Sequence, residues 1–262
     1  MTAPYTALMY HAIGDADGLP ESEDYTVPER LFRRHLLALE GLGCRSVPLA
    51  LLVAGVPTLA HGEGPGVLLT FDDGFETVLT RGAEIVSESD YAALVFITTD
   101  KLGQPGYLDE DQVQILLGMG VAVGAHGKTH AYLSDLPLTA LRRELNEPRE
   151  RLSKLVGYEV RLLSAPGGRV DPRVLDEARR AGYTHVFGSR PGCVTGQAAP
   201  LPRYAITSSV SPHDLELLVA GDRRAVLKAK ARYAALRFPK KVLGNDRYDR
   251  LRARLLGRMR GS

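Results

Sequence analysis

Two hydrophobic patterns alternate along the chain. Short apolar runs at residues 6–10, 66–71, 92–98, 121–125, 160–165 and 185–187 read as buried strands, with 205–209 a further candidate. Between them apolar residues recur every three or four positions, the spacing of a helix with one buried face. Phe32, Leu36 and Leu39 form such a stripe in a helix opened by Pro28, where a missing N–H costs nothing. Val78, Leu79, Ile85 and Val86 predict a helix over 75–89. Asp109 caps the next, with Gln112 in the capping-box position. A helix over 138–155 is expected to kink at Pro148. Asp171-Pro172 opens another that Gly182 closes, and Ser211-Pro212 starts a last one with Leu215, Leu218 and Val219 inward.

Strand–helix alternation predicts a parallel sheet with helices outside it. The chemically capable residues fall where such a sheet would use them. His11, Asp72, Asp73, His126 and the run Ser164 to Gly168 each follow a strand, and in β/α barrels catalytic groups gather at the C-terminal strand ends. The run GVLLTFDDG delivers two carboxylates, Asp72 and Asp73. The run AHGKTH places His126 and His130 four residues apart, near one helical turn, so that both can face one point. One carboxylate with two imidazoles is a facial ligand set for a divalent metal with open positions. The other carboxylate is then free to act as a base on water at that metal.

Composition narrows the class. The 262 residues suffice for one large barrel, and no apolar run approaches bilayer length. The first residues, MTAPYTALMYH, lack the pattern of an export signal. Cys44 and Cys193 make no disulfide framework and are expected to stay reduced, so the protein is expected in the cytoplasm. The net charge of +2 conceals an asymmetry. Residues 1–222 carry 19 Lys and Arg against 29 Asp and Glu, whereas residues 223–262 carry 14 against 2. The chain therefore reads as a catalytic domain over 1–222 followed by a basic, amphipathic helical extension over 223–262. That extension either packs back on the body by its apolar side or lies on an anionic membrane surface on the inner face. No recognised nucleic-acid motif accompanies the charge, and no nucleic-acid partner is expected.

TFDDG and the histidine pair, in this order and each after a strand, resemble the polysaccharide deacetylases of carbohydrate esterase family 4, from LMYHAI at Leu8 to about Val219. The resemblance implies a distorted (β/α)7-type barrel and a hydrolase that removes an N-acetyl group from an amino sugar, releasing acetate. It implies a metal held by Asp73, His126 and His130, Zn²⁺ first, with Co²⁺, Ni²⁺ or Fe²⁺ also compatible. It makes Asp72 the catalytic base and the Gly167 N–H, in Ser164-Ala165-Pro166-Gly167-Gly168, an oxyanion donor. Met9-Tyr10-His11 ahead of TFDDG is similar to the permuted branch of poly-N-acetylglucosamine deacetylases, in which such a histidine is the general acid. His11 is therefore preferred for that role, with His213 the alternative.

The chain also departs from the family pattern. Gly127 stands where Ser or Thr usually braces the histidine loop. Gly167 replaces a Tyr that walls the substrate pocket. Ser164 replaces the Arg that steadies the base; Arg203 is the preferred substitute and Arg169 the other. Trp is absent, so the usual Trp-containing motif is missing. His35, His61 and His185 are read as structural. Rival readings are a metal-dependent amidohydrolase of a non-sugar amide or cyclic imide, a degenerate sugar-binding module, and a non-haem Fe(II) oxygenase, which normally has another scaffold.

Overall fold

A computed structural model describes residues 4–14, 25–55, 64–196 and 199–243. His61 and the chain after residue 243 lie outside the described residues. Five strands form the centre of one parallel sheet: β1 (Tyr5–Tyr10), β5 (Gly66–Phe71), β6 (Ala93–Ile97), β7 (Ala122–Ala125) and β8 (Leu162–Ser164). The strands β9 (His185–Phe187) and β10 (Tyr204–Ala205) complete the order β10-β1-β5-β6-β7-β8-β9, and β4 (Arg45–Ser46) pairs the start of β5. The two-residue strands β2 (Ala12–Ile13) and β3 (Thr26–Val27) pair separately.

The chain from Leu201 to Ala205 links the two ends of this sheet. Leu201 bridges Phe187 of β9, and Tyr204 pairs Leu8 of β1. A distorted barrel results, wrapped by α1 (Glu29–Gly41), α2 (Leu49–Val53), α3 (Glu84–Ser87), α4 (Glu110–Gly118), α5 (Leu138–Val156), α6 (Pro172–Arg180) and α7 (Pro212–Val219). A last helix, α8 (Arg223–Leu243), follows. Among the described residues no helix is long and apolar enough to cross a membrane.

Side-chain alternation along the strands explains both core and site. Leu8, Tyr10, Leu69, Phe71, Val95, Ile97, Val123 and Leu163 face the helices. Ala7, Leu68, Leu94, Phe96, Ala122, Leu162, Phe187 and Leu201 fill the barrel. Two residues further along the same inward rows stand Met9 and then His11, Thr70 and then Asp72, Gly124 and then His126, Ser164, and Arg203. An apolar floor thus passes into a polar layer at the strand ends.

Most expected elements form, with shifted ends. The helix expected over 75–89 begins only at a π-helical turn, Val78–Ala83. Phe75 is instead engaged in a bridge to Tyr107, stacking on its ring at 5.0 Å, so its backbone cannot join the helix. The helix α5 runs on through Pro148, which lies inside it. The capping boxes at Asp109 and Ser211 form as their sequences indicate. The strand expected over 205–209 is confined to Tyr204–Ala205.

Candidate active site

The two aspartates diverge because β5 ends between them. Asp72 continues the inward row of the strand, whereas Asp73 takes φ 75° and turns its carboxylate sideways. Gly74 follows at φ 80°, which completes a sharp left-handed turn. His126 continues β7, and the segment to His130 is a loop, not the helical turn suggested by the spacing. Left-handed conformations at Gly127 (φ 76°) and His130 (φ 70°) fold the loop back so that both imidazoles still converge. Two of the three converging residues, Asp73 and His130, thus hold backbone conformations that cost about 1–3 kcal/mol each and cluster at functional sites.

Asp73 Oδ1 lies 3.1 Å from Nε2 of His126 and 3.1 Å from Nε2 of His130. Nδ1 of His126 donates to the Ser164 carbonyl (2.8 Å), since a carbonyl can only accept. A neutral His126 ring therefore presents its Nε2 lone pair to Asp73. Asp73 Oδ1 is buried without a hydrogen-bond partner among the described residues. Lone pairs converging on a buried orphan oxygen repel one another unless a cation stands among them, so the donor set fits a divalent metal. The three ligand atoms lie within 4.8 Å of one another, and the Ser164 carbonyl fixes the His126 ring as outer-shell partners of metal-bound histidines do.

Asp72 has a different environment. Arg203 grips it with two bonds, Nη1 to Oδ1 at 2.7 Å and Nη2 to Oδ2 at 2.8 Å. The Ser164 hydroxyl donates to Oδ2 (3.0 Å) while accepting from Arg203 Nη2 (2.7 Å). Arg203 also donates to the Gly188 carbonyl (2.8 Å) and the Thr70 hydroxyl (3.1 Å). Its guanidinium lies above the Phe96 and Phe187 rings, 5.5 and 5.8 Å from their centroids. Arg203 is 0% exposed and Asp72 3%, so the pair is charged inside the barrel. Burial raises the Asp72 carboxyl; Arg203, then His126 and His11, overcome it and leave the group below its ordinary value. Arg169 is occupied elsewhere, with Asp135 (3.2 Å) and over the Tyr132 ring (4.2 Å).

His11 lies in the same cavity as both aspartates and both imidazoles. Its ring packs on Tyr25 at 4.6 Å, and its Nδ1 is buried with no hydrogen-bond partner among the described residues. Burial lowers its pKa below the ordinary histidine value; Asp73 and Asp72 pull the other way. His213 is exposed in the first turn of α7, 3.4 Å from Glu216, and is not in the cavity wall. His35 bridges the Tyr10 hydroxyl (3.2 Å) and the Val210 carbonyl (2.9 Å), away from the site. His185 meets the Thr184 hydroxyl at 2.9 Å.

Two departures in the sequence have structural replacements. Glu144, buried on α5, braces the histidine loop in place of the missing hydroxyl. It accepts from the Lys128 N–H (2.7 Å), the Thr129 N–H (3.0 Å) and the Thr129 hydroxyl (2.7 Å). A Cβ at Gly127 would stand 3.1 Å from its carboxylate, so glycine there suits the brace. The aromatic wall expected to be lost at Gly167 is present from another element. A Cβ at Gly167 (φ 62°) would meet the Tyr132 ring at 2.4 Å, and Tyr132 lines the cavity beside it. Sequence reasoning overlooked both residues. Glu144 did leave a signal, a carboxylate on the buried stripe of Leu141, Leu145 and Leu152.

The polysaccharide deacetylase family profile matches residues 60–186, which include both aspartates and both imidazoles. A candidate polysaccharide deacetylase of Bacillus subtilis (strain 168), YxkH, is 24% identical over 191 residues, 72% of this chain and 65% of that protein. The chain thus spans less than two thirds of this relative's length. Two solved structures share the fold. The Streptococcus pyogenes deacetylase PplD, in complex with acetate, superposes with a TM-score of 0.72 at 20% identity, covering 84% of this chain and 99% of that one. IcaB from Ammonifex degensii gives 0.68 at 23%, covering 83% and 96%. Residues 60–186 thus match the polysaccharide deacetylase family, with TFDDG and the histidine loop at the strand ends of that segment, and the solved structures share its fold.

Proposed function

We propose that the protein is a metal-dependent hydrolase that removes the N-acetyl group of an amino sugar in a saccharide or glycoconjugate, releasing acetate and a free amine. The observation that carries this reading is the segregation of the two aspartates. One is clamped by a buried guanidinium and the other is turned toward two imidazoles.

Asp73, His126 and His130 would hold the metal, of which Zn²⁺ suits one carboxylate and two imidazoles. Bound there, it would supply Lewis acidity and make a water molecule acidic enough to lose a proton near neutral pH. Asp72, kept ionised by Arg203, accepts that proton as general base. Arg203 touches no reacting atom in this scheme; it positions Asp72. The Gly167 N–H donates to the oxygen that gains charge as the amide carbon becomes tetrahedral, a contribution of about 3–4 kcal/mol for one well-placed donor. His11 delivers a proton to the departing amine. Unpaired half-buried Cys44 and Cys193 fit a reducing, cytoplasmic setting.

Two substitutions separate the roles. Asp72→Asn is expected to keep one equivalent of Zn²⁺, measured by metal analysis after desalting, while turnover falls about 10²–10⁴-fold. His126→Ala is expected to lose both. Near-normal turnover in Asp72→Asn would remove Asp72 as the base.

A further inference from the structure

The basic extension joins the catalytic body at the active site. The helix α8 carries eight Lys and Arg and no Asp or Glu between Arg223 and Leu243. It is anchored by Ala225, Val226 and Ala229, half-buried against the main core. On the adjoining side Lys228 and Arg232, one turn apart, stand in the wall of the cavity that holds His11, Asp72 and Asp73. Both are exposed, which places them at its mouth.

Neither takes part in an ion pair among the described residues. Arg232 donates to the neutral Ser209 hydroxyl (3.3 Å), which orients the guanidinium and leaves its charge uncompensated. Asp214 also lines the cavity, but its carboxylate closes the α7 capping box with Ser211 (2.6 Å). The other cations of the site are committed, Arg203 to Asp72 and Arg169 to Asp135. The mouth therefore carries two cations without an ion pair among the described residues, Lys228 feeling only the more distant Asp214 carboxylate, beside a cavity of about 370 Å³, near the lower end for ligand pockets.

We propose that this mouth is a subsite for a phosphoryl group carried by the amino-sugar substrate, held by Lys228 and Arg232. The inference rests on the deacetylase reading above and narrows its substrate class to a phosphate- or diphosphate-linked N-acetylated sugar. Two cations suit a group with one to two negative charges and several accepting oxygens, which a phosphoryl group offers and a single carboxylate does not. Arg232 presents a planar fork to two such oxygens and Lys228 a compact point charge. A soluble nucleoside diphosphate sugar and a diphosphate-linked sugar on a lipid share this chemistry.

The test compares acetate release by the full chain from neutral N-acetylchitotriose, UDP-N-acetylglucosamine and a short-chain polyprenyl diphosphate N-acetylglucosamine in neutral micelles. At least one phosphorylated substrate is expected to exceed the neutral one in kcat/KM by roughly tenfold or more, an advantage that salt erodes. The Lys228→Gln/Arg232→Gln variant, altered only at exposed positions, is expected to lose that advantage through KM while the neutral substrate is unaffected. The soluble and lipid arms then tell which source the protein uses. Calorimetry with UDP provides a readout independent of turnover, and the variant is expected to bind at least roughly tenfold more weakly. Equal kcat/KM for neutral and phosphorylated sugars, or UDP affinity unchanged in the variant, would overturn the proposal. No acetate from any substrate, with UDP binding weakened in the variant, would sink the deacetylase reading and support the anion subsite.

Discussion

Replacing Arg203 by methionine removes the cation that holds Asp72 but keeps a side chain of similar length. The wild-type guanidinium makes five hydrogen bonds, two of them to Asp72, and both residues are buried. In the variant the Asp72 carboxylate retains the Ser164 hydroxyl and loses its counter-charge. Breaking a buried pair from one side costs about 3–5 kcal/mol, because the remaining charge stays desolvated. At about 2–4 °C per kcal/mol for a chain of this size, Tm is expected to fall by about 6–20 °C. The pH profile should move as well. Asp72 has a folded-state pKa below its unfolded value, so its stabilisation is present above the unfolded value and lost as pH falls through the folded one. Without Arg203 the carboxyl stays protonated to higher pH, and the acidic limb of kcat/KM shifts upward. Scanning calorimetry and pH-dependent acetate release measure the two effects. The Asp72→Asn/Arg203→Met double variant should be more stable than Arg203→Met alone, since no charge is then stranded. An Arg203→Met protein with unchanged Tm and an unmoved acidic limb would refute the argument.

Other expectations follow from the same structure. Glu144→Ala removes three acceptor contacts from the histidine loop and should weaken Zn²⁺ affinity about 10–100-fold, as loss of outer-shell partners does; unchanged affinity by competition with a chelating dye would dismiss the brace. Gly127→Ala forces a side chain into φ 76° and should lower stability by about 1–2 kcal/mol, read from urea unfolding. Burial lowers the His35 and His185 pKa values, so the unfolded chain binds more protons as pH falls below the unfolded value of about 6.5, and stability falls with it. His35→Gln should flatten that dependence of Tm, and an equally steep curve would exclude His35 as its source.

The positions of Asp72, His126 and Ser164 were legible because strand alternation is a local property. Leu68, Thr70 and Asp72 share one face whatever the rest of the chain does. The histidine loop was legible in outcome but not in conformation. A four-residue spacing suits a helical turn, yet left-handed residues at 127 and 130 bring the rings together by another route. Arg203 lies 131 residues from Asp72, and nothing local in Leu-Pro-Arg-Tyr announces which carboxylate it meets. Glu144 was overlooked because a charge on a helix ordinarily faces water. The two-residue strands β2, β3 and β4 are too short to carry a period. The position of α8 follows from tertiary packing after the turn at Gly221 (φ 74°), so the charge count exposed its composition and not its place in the cavity wall.

The central claim is that Asp73, His126 and His130 bind a metal needed to release acetate from an N-acetylated amino sugar. Its most direct test is acetate release from a panel of such sugars, neutral and phosphorylated, by protein treated with chelator and then supplied with Zn²⁺ or Co²⁺. The account predicts release that chelation abolishes and that about one equivalent of metal per chain restores. Release indifferent to chelation, or no release from any sugar with metal bound at the site, would contradict it.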